Sequence, residues 1–272
     1  MISDYLKEMR LTHWYKALIV FSGPLFGGAL LSSSLLRLIM SFFAFGLVAS
    51  SIYVINDLKD AEKDRLHPKK KERPIASGKI DAKNAVIFSS ALLLSSLLLA
   101  WAVDRTVLWL VLCYFFLMLL YTFFLKEIAV IDAFAIAGGF VIRALAGCFA
   151  AGIEVTTWFY LVIFFFAIYL AFCKRLTELS LAGKEHKNSL AVYEHLSEIG
   201  IAISGSATLS MYAIYTLEKS GLVMWSVPLA FLGMLLHLRE TFAGKEVHES
   251  LKSPELILTG LAFIVIVLLS LY

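Results

Sequence analysis

Charged residues are scarce in this chain of 272 residues, of which 17% are charged and 60% are hydrophobic. Soluble globular domains have about 25% charged residues, so this composition excludes an ordinary soluble domain. The chain also has only three cysteines, and each lies in an apolar stretch without the spacing of metal ligands. The sequence therefore supports neither a disulfide framework nor a zinc site, and it indicates an integral membrane protein.

Apolar segments close to the length of a transmembrane helix recur along the whole chain. The connections between them are short, and the longest polar connection runs only from Asp57 to Lys83. We therefore expect an all-α integral membrane protein with one polytopic domain, residues 1–272, and nine transmembrane helices. The nine predicted spans are 16–36, 38–56, 84–103, 106–125, 129–150, 156–173, 199–218, 222–238 and 255–271.

Lysine and arginine are concentrated on one side of the predicted membrane. Of the 24 basic residues, 20 fall in the N-terminal segment or in the even-numbered connections. Arg37, Arg105 and Lys219 lie on the other side, and Arg143 lies inside a span. Because cytoplasmic loops carry the excess of Lys and Arg, we expect a multi-pass plasma-membrane protein with its N-terminus in the cytoplasm and its C-terminus outside. The basic residues then serve to fix the membrane topology or to contact lipid headgroups or phosphate substrates. This interpretation argues against nucleic-acid binding.

One long polar run, from Asn56 to Gly78, interrupts this apolar background. On a helix of about 100° per residue, its three aspartates Asp57, Asp60 and Asp64 fall within an arc of about 60°. Aligned carboxylates repel one another, and hard oxygen ligands of this kind suit Mg²⁺, which also binds phosphate oxygens. The run therefore predicts a Mg²⁺ site for a phosphorylated substrate, with Asn56 as a candidate fourth ligand.

Basic residues follow the carboxylates directly. His67-Pro68 should end the helix, and four of the next five residues after Pro68 are basic. Such donors suit phosphate groups rather than a metal ion. The alternative is a solvated cytoplasmic loop whose lysines only fix the membrane topology. The aspartate spacing and the ending Arg-Pro-Ile-Ala-Ser-Gly favour a site, whose candidate phosphate donors are Arg65, Lys70, Lys71 and Arg73.

The same residues carry a family resemblance. Asn56 to Asp64 matches the N-D-x-x-D-x-x-x-D signature of the UbiA superfamily of intramembrane prenyltransferases. Asp64 to Gly78 resembles the D-R-x-H-P-x-K-x-x-R-P-I-A-x-G of its decaprenyl-phosphate phosphoribosyltransferase branch. The resemblance implies a UbiA-type helix bundle around a lateral cavity that faces the cytoplasm, with catalytic loops at about 57–83 and 174–198. It also implies Mg²⁺ as cofactor and transfer of 5-phosphoribose from PRPP to a polyprenyl phosphate in cell-envelope biosynthesis.

Two further segments receive mainly structural interpretations. Residues 1–16 are expected to form an interfacial helix that anchors the chain at the headgroup level. Arg10, Trp14 and Lys16 match the pattern R-P-x-Q-W-x-K-N of the phosphoribosyltransferase branch, which makes Lys16 a candidate phosphate ligand. Lys126, at the cytoplasmic end of the fourth span, is interpreted as a lysine that snorkels to the membrane surface.

Asp132 lies at the edge of an apolar run, and Arg143 lies within it. An unpaired charge in such a run costs at least a few kcal/mol. Their separation along a helix places them on one face but about 16 Å apart, so they cannot pair directly. Each must meet another polar group or water. The face they share is therefore a candidate wall of a hydrated cavity. The resemblance, which extends to Gly138–Gly147, makes both residues candidates for substrate binding, and a structural role for each is the alternative.

Lys174, Arg175 and Glu178 follow the sixth predicted span. Lys174 and Glu178 are four residues apart and share a helix face, so a surface ion pair is the simplest interpretation. In the UbiA superfamily a second aspartate motif usually lies here. With Lys174 in place of its first aspartate, the resemblance implies that the three residues bind a second phosphorylated substrate rather than a second Mg²⁺.

Three functions are compatible with these patterns. The first is the PRPP-dependent phosphoribosyl transfer, and the second is transfer of a prenyl group from a prenyl diphosphate to an aromatic or other lipophilic acceptor. The third is a non-enzymatic transporter, which should have broken helices and charged groups near the midplane in two paired halves. This chain concentrates its polar residues at one face instead, which favours an enzyme, and the phosphoribosyltransferase is the preferred interpretation.

Overall fold

In a computed structural model, residues 2–32, 34–182, 192–219, 221–245 and 247–271 are described, and they form helices without a β-strand. The 3₁₀ helices of these residues are Leu11–Phe21, Lys70–Glu72, Leu125–Glu127 and Val223–Ser226. The α-helices are α1 (Ile2–Glu8), α2 (Ser22–Phe26), α3 (Leu35–Leu66), α4 (Ala82–Val103), α5 (Arg105–Phe123), α6 (Ile131–Ala151), α7 (Thr157–Ala182), α8 (Tyr193–Glu218), α9 (Val227–Phe242), α10 (Val247–Ser250) and α11 (Pro254–Leu271).

Within the described residues, 7 helices are long and apolar enough to cross a membrane, namely α3 to α8 and α11. The prediction of nine is therefore wrong. The first predicted span, 16–36, is divided between a 3₁₀ helix and α2, which has 5 residues and ends before Gly27. The eighth predicted span, 222–238, is replaced by a 3₁₀ turn and α9, which has 16 residues.

Local backbone chemistry explains where the N-terminal segment is broken. Gly28 adopts a φ of +69°, a left-handed conformation that ends the helical stretch after α2. The predicted interfacial helix over residues 1–16 is also wrong in extent, because α1 ends at Glu8 and Arg10 has a φ of 49°. From Arg10 the chain continues as a 3₁₀ helix rather than as an α-helix.

The 3₁₀ helix Leu11–Phe21 nevertheless runs beside α3 in the opposite direction. Arg10 contacts Asp57 near the end of α3, whereas Phe21 packs against Phe42 near its beginning. Leu35 and Asp57 are separated by about 33 Å along the helix axis. The segment before α3 therefore follows most of the length of that helix, and it brings the N-terminal residues to the end of the bundle where α3 ends.

The interior of the bundle is formed by α3 and α6. In each of them 61% of the apolar window is buried, against 11% in α11, which lies at the periphery. With 32 residues, α3 is about 48 Å long and exceeds the roughly 30 Å of the hydrocarbon core. The last turns of α3, which carry the predicted aspartate site, can therefore project beyond the apolar layer.

Helix ends replace much of the two predicted catalytic loops. As predicted, α3 stops before Pro68, because a residue that precedes proline is extended, and His67 has φ −85° and ψ 134°. Asp81 then caps α4 by accepting a hydrogen bond from the Asn84 amide at 2.8 Å. The predicted loop 57–83 is thus irregular only between α3 and α4. In the loop predicted at 174–198, α7 extends to Ala182 and α8 begins at Tyr193, while residues 183–191 lie outside the described residues.

Gly147 permits a close approach of the N-terminal segment to α6, and this contact provides a test of the packing. A Cβ atom at residue 147 would lie 1.7 Å from the Val20 carbonyl oxygen. Overpacking costs about 1–3 kcal/mol, so Gly147→Ala should lower the melting temperature of the detergent-solubilised protein by several degrees. Gly260→Ala is the matched control, because a Cβ there meets nothing within 4 Å. Equal melting temperatures of the two variants would contradict this packing.

Candidate active site

Polar side chains gather at one end of the bundle, where α3, α5 and α7 end and where α4, α6 and α8 begin. They form two groups. The carboxylate cluster consists of Glu8, Asn56, Asp57, Asp60 and Asp64 with their basic partners. The arginine cluster consists of Tyr121, Asp132, Lys174, Arg175, Glu178 and Tyr193.

The carboxylate cluster contains two aspartates that are almost completely buried. Asp57 is 2% exposed and Asp64 is 4% exposed. The Arg73 guanidinium lies between them, with one nitrogen 3.1 Å from an oxygen of Asp57 and 2.6 Å from an oxygen of Asp64. Asp60 is directed toward α5 instead, where the Lys126 ammonium lies 3.0 Å away. All three predicted carboxylates therefore have a cationic partner.

Asp57 has a second partner in Arg10, whose guanidinium nitrogen lies 2.6 Å and 2.5 Å from its two oxygens. The left-handed backbone of Arg10 turns the chain between α1 and the 3₁₀ helix. Ser50 on α3 holds this turn in place by donating a hydrogen bond to the Met9 carbonyl at 2.7 Å. The guanidinium also lies over the Tyr53 ring at 4.9 Å. The N-terminal turn is thus part of the site.

The segment after α3 explains why Arg73 reaches the aspartates. Ile75 and Ile80 are buried and pack with Val54 and other residues of α3 and α4 in one hydrophobic cluster. Gly78 has a φ of +77°, a conformation that favours glycine. These anchors hold the loop against the bundle. The Arg-Pro-Ile-Ala-Ser-Gly sequence is therefore a structural device that positions the Arg73 guanidinium.

Glu8 is the unexpected member of the carboxylate cluster. It is 2% exposed, and neither carboxylate oxygen has a hydrogen-bond donor among the described residues. Burial raises the pKa of Glu8 to about 8, and the adjacent negative charge of Asp57 contributes in the same direction. Arg10 and Arg73 oppose this effect only in part. The group is therefore held in an environment that disfavours its charge.

The arginine cluster is built around Arg175, which is 8% exposed. Its guanidinium lies 2.5 Å from an oxygen of Asp132 and also pairs with Glu178. Tyr193 donates a hydrogen bond to Asp132 and accepts one from the Val130 amide at 2.8 Å. Lys174 is exposed, and its ammonium lies 3.5 Å from Glu178, as the spacing of the two residues predicted.

The end of α5 joins the two clusters. Arg175 donates a hydrogen bond to the Tyr121 hydroxyl at 3.3 Å, and Lys126, which follows α5 in the next turn, contacts Asp60. Lys59 donates to the Thr122 carbonyl at 2.6 Å and so satisfies one of the last carbonyl groups of this helix. Both clusters therefore border one region at the polar end of the bundle.

Arg143 lies deeper in the bundle than both clusters. Its guanidinium donates to the Tyr114 hydroxyl at 2.5 Å and to the Gly139 carbonyl at 3.2 Å. It also lies over the Tyr114 ring at 4.3 Å. As their separation predicted, Arg143 and Asp132 have separate partners. Among the described residues no carboxylate pairs with Arg143, so its charge is stabilised by an aromatic ring and neutral oxygens.

The structure separates the predicted site residues into three sets. One set lies in the carboxylate cluster (Asn56, Asp57, Asp60, Asp64 and Arg73), and another lies in the arginine cluster (Asp132, Lys174, Arg175 and Glu178). The third set lies outside both. It comprises Lys16, Arg65, Lys70, Lys71 and Arg143. Arg65 donates a hydrogen bond to the Ala76 carbonyl at 3.1 Å, and the Lys16 ammonium lies 5.9 Å from the Tyr15 ring. Lys70 and Lys71 are exposed, and Arg143 lies deeper in the bundle.

Five contacting residues were absent from the predicted site, namely Glu8, Arg10, Tyr121, Lys126 and Tyr193. Arg10 had a signal, because it matches the N-terminal pattern of the phosphoribosyltransferase branch. Lys126 had a weaker one, since it is a cation at the polar end of an apolar span. Glu8 and Tyr193 had none, because each reaches the site through contacts with residues far away in the sequence.

The donor set of the carboxylate cluster fits a hard divalent cation. It offers carboxylate and amide oxygens, and Glu8 adds two oxygens that have no donor. Among the described residues, however, no three acidic or other ligating side chains already converge on a common point. Arg73 occupies the space between Asp57 and Asp64, so a cation would bind there as this guanidinium moves away.

The chain is similar in sequence to the UbiA prenyltransferase family and to named phosphoribosyltransferases. A profile of the UbiA prenyltransferase family matches residues 17–270. The decaprenyl-phosphate phosphoribosyltransferase of Mycolicibacterium smegmatis is 36% identical over 204 residues, which cover 71% of this chain and 63% of that protein. This chain therefore spans less than two thirds of that relative. The protein of the same name from Corynebacterium glutamicum is 37% identical over 225 residues, which cover 79% of this chain and 68% of its own.

The fold is shared with a solved structure of a UbiA homologue from Archaeoglobus fulgidus, bound to GPP and Mg²⁺. The two chains superimpose with a TM-score of 0.75 at 20% sequence identity. The match covers 98% of this chain and 99% of the other, so the likeness extends over the whole helix bundle.

The position of Arg73 predicts competition with a divalent cation. Arg73→Gln leaves two buried carboxylates facing each other and should destabilise the metal-free protein by on the order of 2 kcal/mol, less than for a fully buried pair because Arg73 is 28% exposed. Saturating Mg²⁺ should raise the melting temperature of this variant more than that of the wild type, since the cation takes the place of the guanidinium.

Lys71→Gln is the matched control, because it removes an exposed charge two residues away. Thermal unfolding in detergent, with EDTA and with Mg²⁺, measures both effects. An Mg²⁺-induced stabilisation that is the same in Arg73→Gln and Lys71→Gln would contradict the competition.

Proposed function

The chain belongs to the UbiA prenyltransferase family, and we propose that it transfers 5-phosphoribose from PRPP to a polyprenyl phosphate and releases pyrophosphate. Two relatives that are 36% and 37% identical to it over the aligned residues are named decaprenyl-phosphate phosphoribosyltransferase, which supports this choice within the family. The single observation that carries the proposal is the charge of the arginine cluster.

Four ionisable groups define that charge: Lys174 and Arg175 are basic, and Asp132 and Glu178 are acidic. Their charges sum to zero, and Arg175 lies between both carboxylates. Such a cluster is poorly suited to a second divalent cation, whereas its guanidinium and ammonium groups are good donors to a phosphate. Prenyl transfer to an acceptor without a phosphate requires no such group. Phosphoribosyl transfer to a lipid phosphate does require one.

We assign the diphosphate of PRPP to the carboxylate cluster. Asp57, Asp60, Asp64 and Asn56 would hold Mg²⁺, which supplies neutralisation of the negative charge on the leaving diphosphate. Arg73 and Lys126 now each neutralise carboxylates of this cluster. With Mg²⁺ bound by the carboxylates, Arg73 and Lys126 would be available as donors to the phosphate oxygens. The Mg²⁺ in the Archaeoglobus fulgidus homologue supports the assignment.

In the chemical step, a phosphate oxygen of the polyprenyl phosphate bonds to C1 of the ribose. The bond from C1 to the diphosphate oxygen breaks, and its electron pair leaves with pyrophosphate. A phosphate monoester is already anionic at neutral pH, so this step needs no strong general base. Lys174 and Arg175 hold the lipid phosphate, and Asp132 and Tyr193 position Arg175.

The remaining candidate residues surround these two positions. Arg65, Lys70 and Lys71 lie at the exposed rim, where they would attract the 5-phosphate of PRPP. We keep Lys16 and Arg143 as proposed substrate-binding residues of the N-terminal segment and of the deeper cavity wall. In the bilayer, the polar end would face the cytoplasm in the plasma membrane, with one domain over residues 1–272 and the C-terminus outside.

Donor identity can be tested with purified protein and Mg²⁺. Labelled phosphoribose should pass from PRPP to a polyprenyl phosphate, with release of one pyrophosphate for each transfer. Lys174→Asp should lower the rate by at least about 100-fold, because a carboxylate beside the lipid phosphate costs several kcal/mol. Lys83→Asp reverses an exposed charge at the same end and should retain activity. Prenyl transfer from a prenyl diphosphate to an aromatic acceptor, without reaction of PRPP, would establish the alternative function.

Loss of a metal ligand gives a separate test. Asp60→Asn removes a carboxylate that faces Lys126 and is not completely buried, so the protein should remain folded. Turnover should fall by about 100-fold or more, as should turnover of the wild type in excess EDTA. Glu62→Gln, on the exposed side of the same helix, should retain turnover. Full activity of Asp60→Asn, or full wild-type activity in EDTA, would refute the metal assignment.

A further inference from the structure

One carboxyl group of the carboxylate cluster has no place in the mechanism above. Glu8 is 2% exposed, and its two oxygens lack a hydrogen-bond donor among the described residues. The carboxyl group of Asp57, a group of the same sign, lies beside it, so a hydrogen bond between the two requires a proton on one of them. A buried polar group without a partner costs about 1–3 kcal/mol, and an ionised one costs more. Glu8 therefore requires a specific compensation.

The position of Glu8 is imposed by the packing of the N-terminal segment. Glu8 is the last residue of α1, and the Tyr5 ring of this helix packs edge-on against Phe88 at 4.8 Å. Directly after Glu8, the Met9 carbonyl accepts a hydrogen bond from Ser50, which also accepts one from Trp14. These contacts hold α1 against α3 and α4. The carboxyl group of Glu8 consequently stays in the cluster.

The charge balance of the carboxylate cluster depends on whether Glu8 is ionised. Glu8 and the three aspartates contribute four negative charges when all are ionised. Arg10, Arg73 and Lys126 contribute three positive charges, and Arg73 already serves two aspartates. With Glu8 ionised, one negative charge would be left beside Asp57; with Glu8 protonated, as burial favours, the charges balance and the two oxygens of Glu8 still lack a donor.

We propose that Glu8 is a ligand of the divalent cation at the carboxylate cluster, where it binds together with Asp57. A cation between these groups would satisfy the oxygens that lack donors and would compensate the remaining negative charge. Hard divalent cations take carboxylate oxygens from several side chains, so a ligand contributed by α1 is chemically equivalent to one from α3. The inference rests on the proposed function in one respect, which is that a divalent cation binds at Asp57.

Binding of Mn²⁺ to the detergent-solubilised protein, without PRPP or lipid substrate, tests this directly. Free Mn²⁺ is measured by electron paramagnetic resonance during a titration. Glu8→Gln keeps the shape of the side chain and removes its charge, and it should weaken Mn²⁺ binding by at least about tenfold. Glu62→Gln makes the same change on the exposed face of α3 and should leave the affinity unchanged. Equal affinities of both variants and the wild type would overturn the proposal and indicate a proton shared between Glu8 and Asp57.

A second pair of variants keeps the test valid if Glu8→Gln disturbs the fold. Glu8→Asp and Glu8→Asn have the same size and differ in charge. The aspartate variant should bind Mn²⁺ at least about tenfold more tightly than the asparagine variant. Equal binding would again overturn the proposal. In EDTA, Glu8→Gln should unfold at the wild-type temperature or above it, because a buried carboxylate that lacks a partner is removed.

These measurements are independent of the donor. If Mn²⁺ binds through Glu8 but PRPP is not a substrate, the proposed function fails and the metal ligand stands. If PRPP transfer occurs while the Glu8 variants bind Mn²⁺ like the wild type, the ligand assignment fails and the proposed function stands.

Discussion

Two buried carboxylates on one face of α3, Asp57 and Asp64, require a cation between them. Without one, burial and mutual repulsion would both act against their ionised forms. Arg73 supplies the charge, and it can do so because Ile75 anchors the following loop in the hydrophobic cluster and Gly78 turns the chain back. The shape of this loop therefore meets an electrostatic requirement at the end of one helix.

The same requirement ties stability to substrate binding. In the metal-free protein, the ion pairs of Arg10, Arg73 and Lys126 stabilise the folded end of the bundle. A substrate that carries phosphates and a divalent cation could replace both members of these ion pairs. The divalent cation would take the place of the basic groups beside the carboxylates, and the phosphates would take the place of the carboxylates beside the basic groups. Under the proposed function, binding would exchange one set of charge pairs for another, so that Asp57, Asp60 and Asp64 keep a cationic partner.

Much of this arrangement could be predicted from local sequence. The spacing of the aspartates, the helix stop before Pro68 and the pairing of Lys174 with Glu178 depend on neighbours within two helical turns, and helix geometry fixes them. The number of continuous helices could not be predicted from apolar length, because a left-handed Gly28 and a 3₁₀ backbone interrupt the first span. Contacts between distant residues were also missed, such as Lys126 with Asp60, which are 66 residues apart.

The position of the clusters at helix ends has a further consequence for chemistry. Asp132 lies in the first turn of α6, where the helix dipole favours a negative charge, and Lys59 lies at the last carbonyls of α5, where it favours a positive one. Groups fixed in this way need little reorganisation when a charged substrate arrives, and preorganised charges act most strongly where water is excluded. Exposed lysines on a turn do not meet this condition. Under the proposed function, the residues that hold the reacting phosphates should therefore belong to the helices and to the anchored Arg73, and the exposed Lys70 and Lys71 would only attract substrate from solution.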